Sequence, residues 1–487
     1  MAKESMIRRN NNSYDAVIVG AGANGLAAAV RLALEGFSTL VVERNSTVGG
    51  SARSEYLTLP GFLHDVCSAV HPLALASPFL ESLGLQKYGL EFIQPELPVA
   101  HTIACGIAVA MHRSVAETAA GLESDAISYR RLFEPLVTKL RSLTSEFLRP
   151  ILHVPRDPWT WMRFSLAGLA PANYLAKRRF AGEPARALFA GLAAHGCVPL
   201  EAPGSAAFGL VLGMLGHGTG WPIPRGGTQA ISNALAALLL SLGGKIETGI
   251  EVRRLEDLPQ ARVVLLDLTP HQFVQIAGER LPAHYRRRLQ RFRYGPAVFK
   301  IDYALRDPIP WSSEICRRAG TVHLGGTLRE VAAAERAVSD GRHPEQPFVL
   351  LVQPTVWDPT RAPSGCHVAW AYCHVPNGSS LDMTGRIEDQ IERFAPGFRD
   401  CVLSRHMMQP ADLEKHNPNL IGGSISGGAN DIAQLIARPV LSLKPYRTAI
   451  SGVYLCSSST PPGPGVHGMC GLHAATTALQ DVLLRHR

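Results

Sequence analysis

The order of apolar and polar positions predicts a β-α-β unit near the start of the chain. Tyr14–Val19 is a short, β-branched run of strand type, a glycine-rich turn follows, and Leu26–Leu34 has helical apolar spacing before a second strand at Thr39–Val42. From about His101 to Ala194 the pattern is mostly helical, with breaks at Pro150, Pro155, Pro158 and Pro171. Gln229–Leu242 reads as an amphipathic helix with Ile231, Leu235, Leu238 and Leu242 on one stripe, ended by Gly243–Gly244. Lys245–Val252 and Val263–Leu268 read as strands. Ala297–Tyr303, Phe348–Gln353 and His367–Cys373 suggest a separate, largely antiparallel sheet. Gly452–Cys456 is a final strand and Leu472–Leu484 a final helix. No repeat or linker is visible, so segments of one domain are expected to be inserted in another.

Composition narrows the class. The 487 residues allow two or three domains, and 46% hydrophobic with 18% charged residues excludes a disordered chain. The net charge of +8 is scattered in short clusters such as Arg178–Arg179, Arg286–Arg288 and Arg317–Arg318, without interleaved aromatics. That favours solvated faces over a nucleic-acid groove and leaves an anionic membrane surface as a peripheral partner. Nine scattered cysteines without a C-x-x-C pair argue against a metal ribbon or dithiol centre and fit a reducing compartment, hence a cytoplasmic location. Met1–Ser13 is polar and shows no secretory h-region. Ala202–Pro224 lacks charged residues, but its six glycines and three prolines would break a spanning helix, so it is read as buried.

Gly20-Ala21-Gly22-Ala23-Asn24-Gly25 is a G-x-G-x-x-G string placed directly after a strand and opening a helix, and Glu43 ends the next strand. In that context it predicts a dinucleotide site. Gly20 permits the tight turn, Gly22 lets a diphosphate approach the backbone, and Gly25 lets helix pack on strand. The helix N-terminus offers N–H groups to the anion, and Glu43 suits a ribose diol. Gly49, Gly50 and Arg53 extend the unit with a second close approach and a cation, a double signature that resembles FAD-binding flavoproteins of the glutathione reductase-like Rossmann type. A second literal match, Gly463 to Gly468, is separated from its strand by Pro461-Pro462. It is read as a glycine-rich loop facing the flavin, not as a nicotinamide site.

The opening Tyr14-Asp15-Ala16-Val17-Ile18-Val19-Gly20 and the ending Ser459-Thr460-Pro461-Pro462-Gly463-Pro464-Gly465-Val466-His467-Gly468 resemble the phytoene desaturase and carotene isomerase group of flavoproteins. Pro60–Asp65, Pro224–Thr228 and His416–Gly423 place the chain nearest the phytoene dehydrogenase-like branch of FAD-dependent oxidoreductases. The resemblance implies an α/β fold: a glutathione reductase-like Rossmann FAD domain (1–100, 221–290 and 415–487) with an inserted α+β substrate domain of mixed sheet and helical cap (101–220 and 291–414). Carried over by motif, the FAD contacts are Gly20, Gly22, Ala23, Asn24, Gly25, Glu43, Arg44, Gly49, Gly50, Arg53, Val252, Ser458, Gly465, Val466 and Gly468. His64, Asp65 and His467 are the catalytic candidates. The usual Phe-Asp-x-Gly of the carotenoid enzymes is here His64-Asp65-Val66-Cys67, which weakens the carotenoid assignment more than FAD.

The activity implied is hydride transfer from a C–H bond of a long apolar substrate to flavin, with oxygen or a quinone as electron acceptor. The alternatives are a redox-neutral isomerase, an amine oxidase-like enzyme and a non-catalytic isoprenoid-binding module. The run Phe208, Leu210, Val211, Leu212, Met214 and Leu215 fits ordinary core better than the wall of a substrate cavity.

Overall fold

The computed structural model describes residues 13–484; the polar segment before Ser13 lies outside the described residues. In chain order the strands used below are β1 (Tyr14–Val19), β2 (Thr39–Val42), β3 (Leu97–Ala104), β4 (Ile107–Met111), β5 (Lys245–Glu247), β6 (Ala261–Leu266), β7 (Ala297–Leu305), β8 (Ala319–Leu324), β9 (Val349–Val352), β10 (His367–Val375), β11 (Val402–Met408) and β12 (Val453–Leu455). The helices are α1 (Ala23–Leu34), α2 (Ala126–Thr138), α3 (Pro158–Gly168), α4 (Ala172–Arg179), α5 (Glu183–Ala194), α6 (Ser205–Gly218), α7 (Gln229–Ser241), α8 (Leu328–Ser339) and α9 (Met469–Ala478).

Two sheets organise the molecule. The first is entirely parallel, in the order β12-β6-β1-β2-β5. Its strands are continuous apolar runs because helices cover both faces. The Ala- and Leu-rich α1 packs against β1, α7 and α9, so Leu26, Val30, Leu235 and Ala475 share one core with Ile18 and Val41. The second sheet is mixed, in the order β11-β7-β10-β9-β8-β3-β4, antiparallel except where β3 runs parallel to β8. A layer of helices, α2 to α6, caps its inner face.

The expected α/β architecture, a Rossmann domain joined to a mixed sheet with a helical cap, is the one observed. Three local expectations change. The segment 101–194 does not begin as helix: His101 lies in the hairpin β3–β4, whose apolar alternation pairs Val99 with Met111. β3 starts at Leu97, so the mixed sheet begins ahead of the expected boundary at residue 100. The strand expected over Lys245–Val252 ends at Glu247, which leaves Val252 in a loop. Ala202–Pro224 contains the interior helix α6, and no described helix is long and apolar enough to cross a membrane.

Candidate active site

One cavity of about 1000 Å³ runs from the turn between β1 and α1 to the inner face of the mixed sheet. Gly20, Gly22, Ala23, Asn24, Glu43, Arg44, Gly49, Gly50, Val252, Ser458, Gly465 and Val466 all line it. Sites distant in sequence are thus brought around one space. Three expected contacts lie behind the wall instead. Gly25 is buried where a Cβ would stand 2.0 Å from the Gly20 carbonyl, which fits its helix-on-strand packing role. Gly468 caps α9 against Ala27. Arg53 is buried beneath the Gly49–Gly50 turn, where it meets the His416 ring and lies 3.7 Å from Glu55.

The turn itself is tight. Gly20 adopts φ 98°, and a Cβ on Gly22 would come 2.5 Å from an Asp267 carboxylate oxygen. Gly49 donates to the Ala21 carbonyl at 2.8 Å, which brings the two glycine turns together. Glu43 accepts from Ala21 N–H and Asn45 N–H, both at 2.8 Å, and its acceptor positions are thereby fixed at the strand end. Asn24 lines the cavity, and its buried side-chain oxygen has no partner in the protein. A glycine cradle at a helix N-terminus, a fixed carboxylate and an unspent amide oxygen fit the diphosphate and ribose of FAD.

The floor is the inner face of the mixed sheet. Strand alternation sends Val298 and Lys300 of β7, Leu350 and Val352 of β9, and Trp370 and Tyr372 of β10 to the cavity. Lys300 is the charged exception. Its ammonium bonds to Asp302, the next residue on the same face, and lies 5.8 Å from the Trp370 ring centre. Burial pushes the Asp302 carboxyl up to about 6 against the pull of Lys300. An ammonium in an apolar wall can hold a water or stabilise negative charge developing on a substrate. Sequence reading missed Lys300 and Asp302; their signal was two charges at i, i+2 within an otherwise apolar strand.

The catalytic candidates separate. His64 lies behind the floor, hydrogen-bonded to Thr58 Oγ1 at 2.7 Å and 3.7 Å from Asp302, and burial pulls its pKa down to about 3. It reaches the cavity only through the Asp302–Lys300 pair. Asp65 does not reach it: Arg361, Ser54 Oγ and Thr228 N–H engage its carboxylate at 2.6–2.8 Å. Burial would raise that carboxyl, yet Arg361 and the Thr228 N–H hold it below the usual range. This is a buried strut that ties Asp65 to the turn before β10, with Arg361 as its missed partner. His467 lines the cavity, accepts from Met469 N–H at Nδ1, and is pulled down to about 4 by burial. The apolar run on α6 divides: Phe208, Val211 and Leu212 face the cavity, whereas Leu210, Met214 and Leu215 are core.

Among the described residues, no cluster of histidine, cysteine or acidic side chains is arranged to hold a metal ion. The mouth of the cavity is unusual for an exposed surface. Ile151, Leu169 and Ile436 line it and are themselves exposed. Beside them Val154 is 86% exposed, Leu166 70% and Trp159 65%. On α3, Trp159, Met162 and Leu166 form an outward apolar stripe while Phe164 points inward. Arg156 and Arg163, flanking Trp159 in the chain, are exposed, as are Lys177–Arg179 at the end of α4.

Residues 18–78 match the family model described as a NAD(P)-binding Rossmann-like domain. Over 96% of its length the chain is 29% identical to pyridine nucleotide-disulfide oxidoreductase domain-containing protein 2 of Mus musculus, of which 94% is covered. It is 23% identical to a limonene dehydrogenase chain from Castellaniella defragrans, covering 96% of this protein and 95% of that one. With the phytoene dehydrogenase of Streptomyces griseus it shares 26% identity over 84% of this chain and 80% of the relative. Among solved structures, an oxidoreductase from Methanosarcina mazei superposes with a TM-score of 0.66 at 17% identity, covering 96% of this chain and all of the other.

Proposed function

We propose that this chain, an FAD-dependent oxidoreductase similar to phytoene dehydrogenases, desaturates a long apolar, isoprenoid-like substrate drawn from a membrane surface. The observation that carries this reading is the continuity of the cavity. One space joins the glycine cradle to an apolar floor and then to an exposed apolar mouth, and Arg156 and Arg163 stand exposed in the same chain segment as Trp159. A surface that exposes Val154, Trp159 and Leu166 together is costly in water and suits the interface of an anionic bilayer.

Bound FAD supplies the hydride acceptor. The residues of this chain do the rest. Gly20, Gly22 and the first turn of α1 hold the diphosphate, and Val298, Leu350, Val352 and Trp370 keep a hydrocarbon chain in place and exclude water. Lys300 sets the position of polar groups at the reacting end. The electron acceptor is oxygen or a quinone.

The test is anaerobic flavin reduction by the FAD-loaded protein. A C30 to C40 polyene precursor presented in phosphatidylglycerol vesicles is expected to bleach the visible flavin bands, and the same compound in phosphatidylcholine vesicles to act more slowly. Bleaching by primary amines, with none by polyenes, would overturn the substrate class. Equal rates in both vesicle types would overturn the membrane step alone.

A further inference from the structure

The wall of the cavity carries a second constellation, which flavin binding does not use. Cys197, just after α5, lines the cavity. It is one of two non-glycine residues, among those described, with positive φ (52°), so its backbone is held in a conformation that favours glycine. Its Sγ lies 3.3 Å from His374 Nε2. His374 Nδ1 in turn lies 2.8 and 2.9 Å from the two carboxylate oxygens of Glu335 on α8. His374 and Glu335 are both buried. His374 is on β10, two residues beyond Tyr372 and on the same sheet face, so the imidazole continues the row of side chains that forms the cavity floor.

Thiol, imidazole and carboxylate in that order are the arrangement that activates a nucleophile. Glu335 takes the Nδ1 hydrogen and thereby fixes the ring, leaving Nε2 toward the sulfur. Burial would strip the proton from an isolated imidazole, but the thiol and the carboxylate hold the His374 pKa well above the ordinary histidine value. The ring can therefore accept the thiol proton and keep it inside a dry wall.

We propose that Cys197, activated by His374 and Glu335, is a second reactive centre that captures apolar α,β-unsaturated carbonyl compounds by conjugate addition. The thiol proton passes to His374 Nε2, and the sulfur lone pair forms a bond to the β-carbon of the acceptor. The π pair of the C=C bond moves to the α-carbon, which takes the proton back from the imidazolium. One C–S and one C–H bond form while one S–H and one C–C π bond break, so no oxidant, leaving group or water is needed. Acyl transfer fits less well, because the donor beside this residue already serves a backbone acceptor. Asn430 Nδ2, the side-chain donor at the preceding residue, bonds the Gly196 carbonyl.

The experiment treats the intact FAD-loaded protein with 2-cyclohexen-1-one and follows adducts at each cysteine by peptide mass spectrometry. The exposed Cys105 serves as the internal standard. Adduct is expected at Cys197 at least tenfold faster than at Cys105 despite its burial. Glu335→Gln, which retains the hydrogen-bonding shape, is expected to slow Cys197 tenfold or more and leave Cys105 unchanged. His374→Gln should do the same; where that variant does not retain the wild-type flavin spectrum, the Glu335→Gln comparison decides. Labelling ordered by exposure, with Cys105 first and Cys197 unmodified, would overturn the proposal. So would a folded Glu335→Gln protein with an unchanged Cys197 rate. The readout is the thiol and not turnover, so labelled protein that fails to reduce its flavin with polyenes leaves this inference standing and rejects the substrate assignment instead.

Discussion

Asp267 is the residue that most constrains the cofactor end. Its carboxylate sits behind Gly20 and Gly22 and accepts from Gly25 N–H at 3.0 Å, in the place where an anion gains most from the start of α1. Burial, opposed by that N–H and reinforced by Glu43, pushes its pKa up to about 7. An unfolded aspartate titrates near 3.8, so between roughly pH 4 and 7 the folded state holds a proton that the unfolded state has lost. This group's contribution to stability therefore falls as pH rises through that window. Asp267→Asn keeps the acceptor and removes the titration. The thermal midpoint of the flavin-free variant is expected to fall less than wild type between pH 5 and 8, and FAD titrations above pH 7 to show tighter binding than wild type. Lys300 carries the second prediction at this scale. Lys300→Met is expected to retain FAD while flavin reduction by substrate slows by roughly 100-fold, read by stopped-flow absorbance. The variant tolerates Asp302 because that carboxyl, already raised to about 6, can take up a proton when its partner is lost.

At the scale of elements, α6 does two jobs with two residue types. Its small residues let it lie against its neighbours: a Cβ on Gly213 would stand 2.3 Å from the Phe133 ring of α2, and one on Gly209 3.0 Å from Phe189 of α5. Its larger residues, Phe208, Val211 and Leu212, then reach the cavity. Gly213→Leu is expected to destabilise the fold by about 1–3 kcal/mol through overpacking, measured as a lower denaturant midpoint with an unchanged slope. The charged pair on β7 shows the same division. Period-two alternation puts Phe299 and Ile301 in the apolar core of the outer face and sends Lys300 and Asp302 inward, so a one-residue register shift would lose both core and site.

For the whole molecule, the buried histidines govern the response to acid. Burial pulls His71, His101, His217, His416 and His467 down to about 4, and His64 and His195 to about 3. Unfolded, each titrates near 6.5. Below that value the unfolded state binds more protons, so stability is lost as pH falls from about 6.5 toward 4. Seven groups acting this way outweigh the opposite trends of Asp267 and Asp302. Circular dichroism melts are expected to show a steep fall in midpoint between pH 6.5 and 4.5. A flat profile would mean that these rings are hydrated in solution.

Local chemistry made the cofactor end legible along the chain. A tight turn, a close backbone approach and a helix start must be encoded by neighbouring residues, so Gly20, Gly22, Glu43, Gly49 and Gly50 stand out in order, and the resemblance extended them to Val252, Ser458, Gly465 and Val466. The parallel sheet followed from the same short-range patterns. What the chain order could not show was which side chains meet across long separations. Arg361 meets Asp65, His374 meets Cys197, and Asp267 meets Gly25 only because loops, helices and strands far apart in sequence pack against one another. Burial, too, belongs to the tertiary structure. It takes Arg53 beneath a turn and His64 and Asp65 behind the floor, and it leaves Lys300 as the charge on the apolar sheet floor, because only packing decides which polar groups are cut off from water.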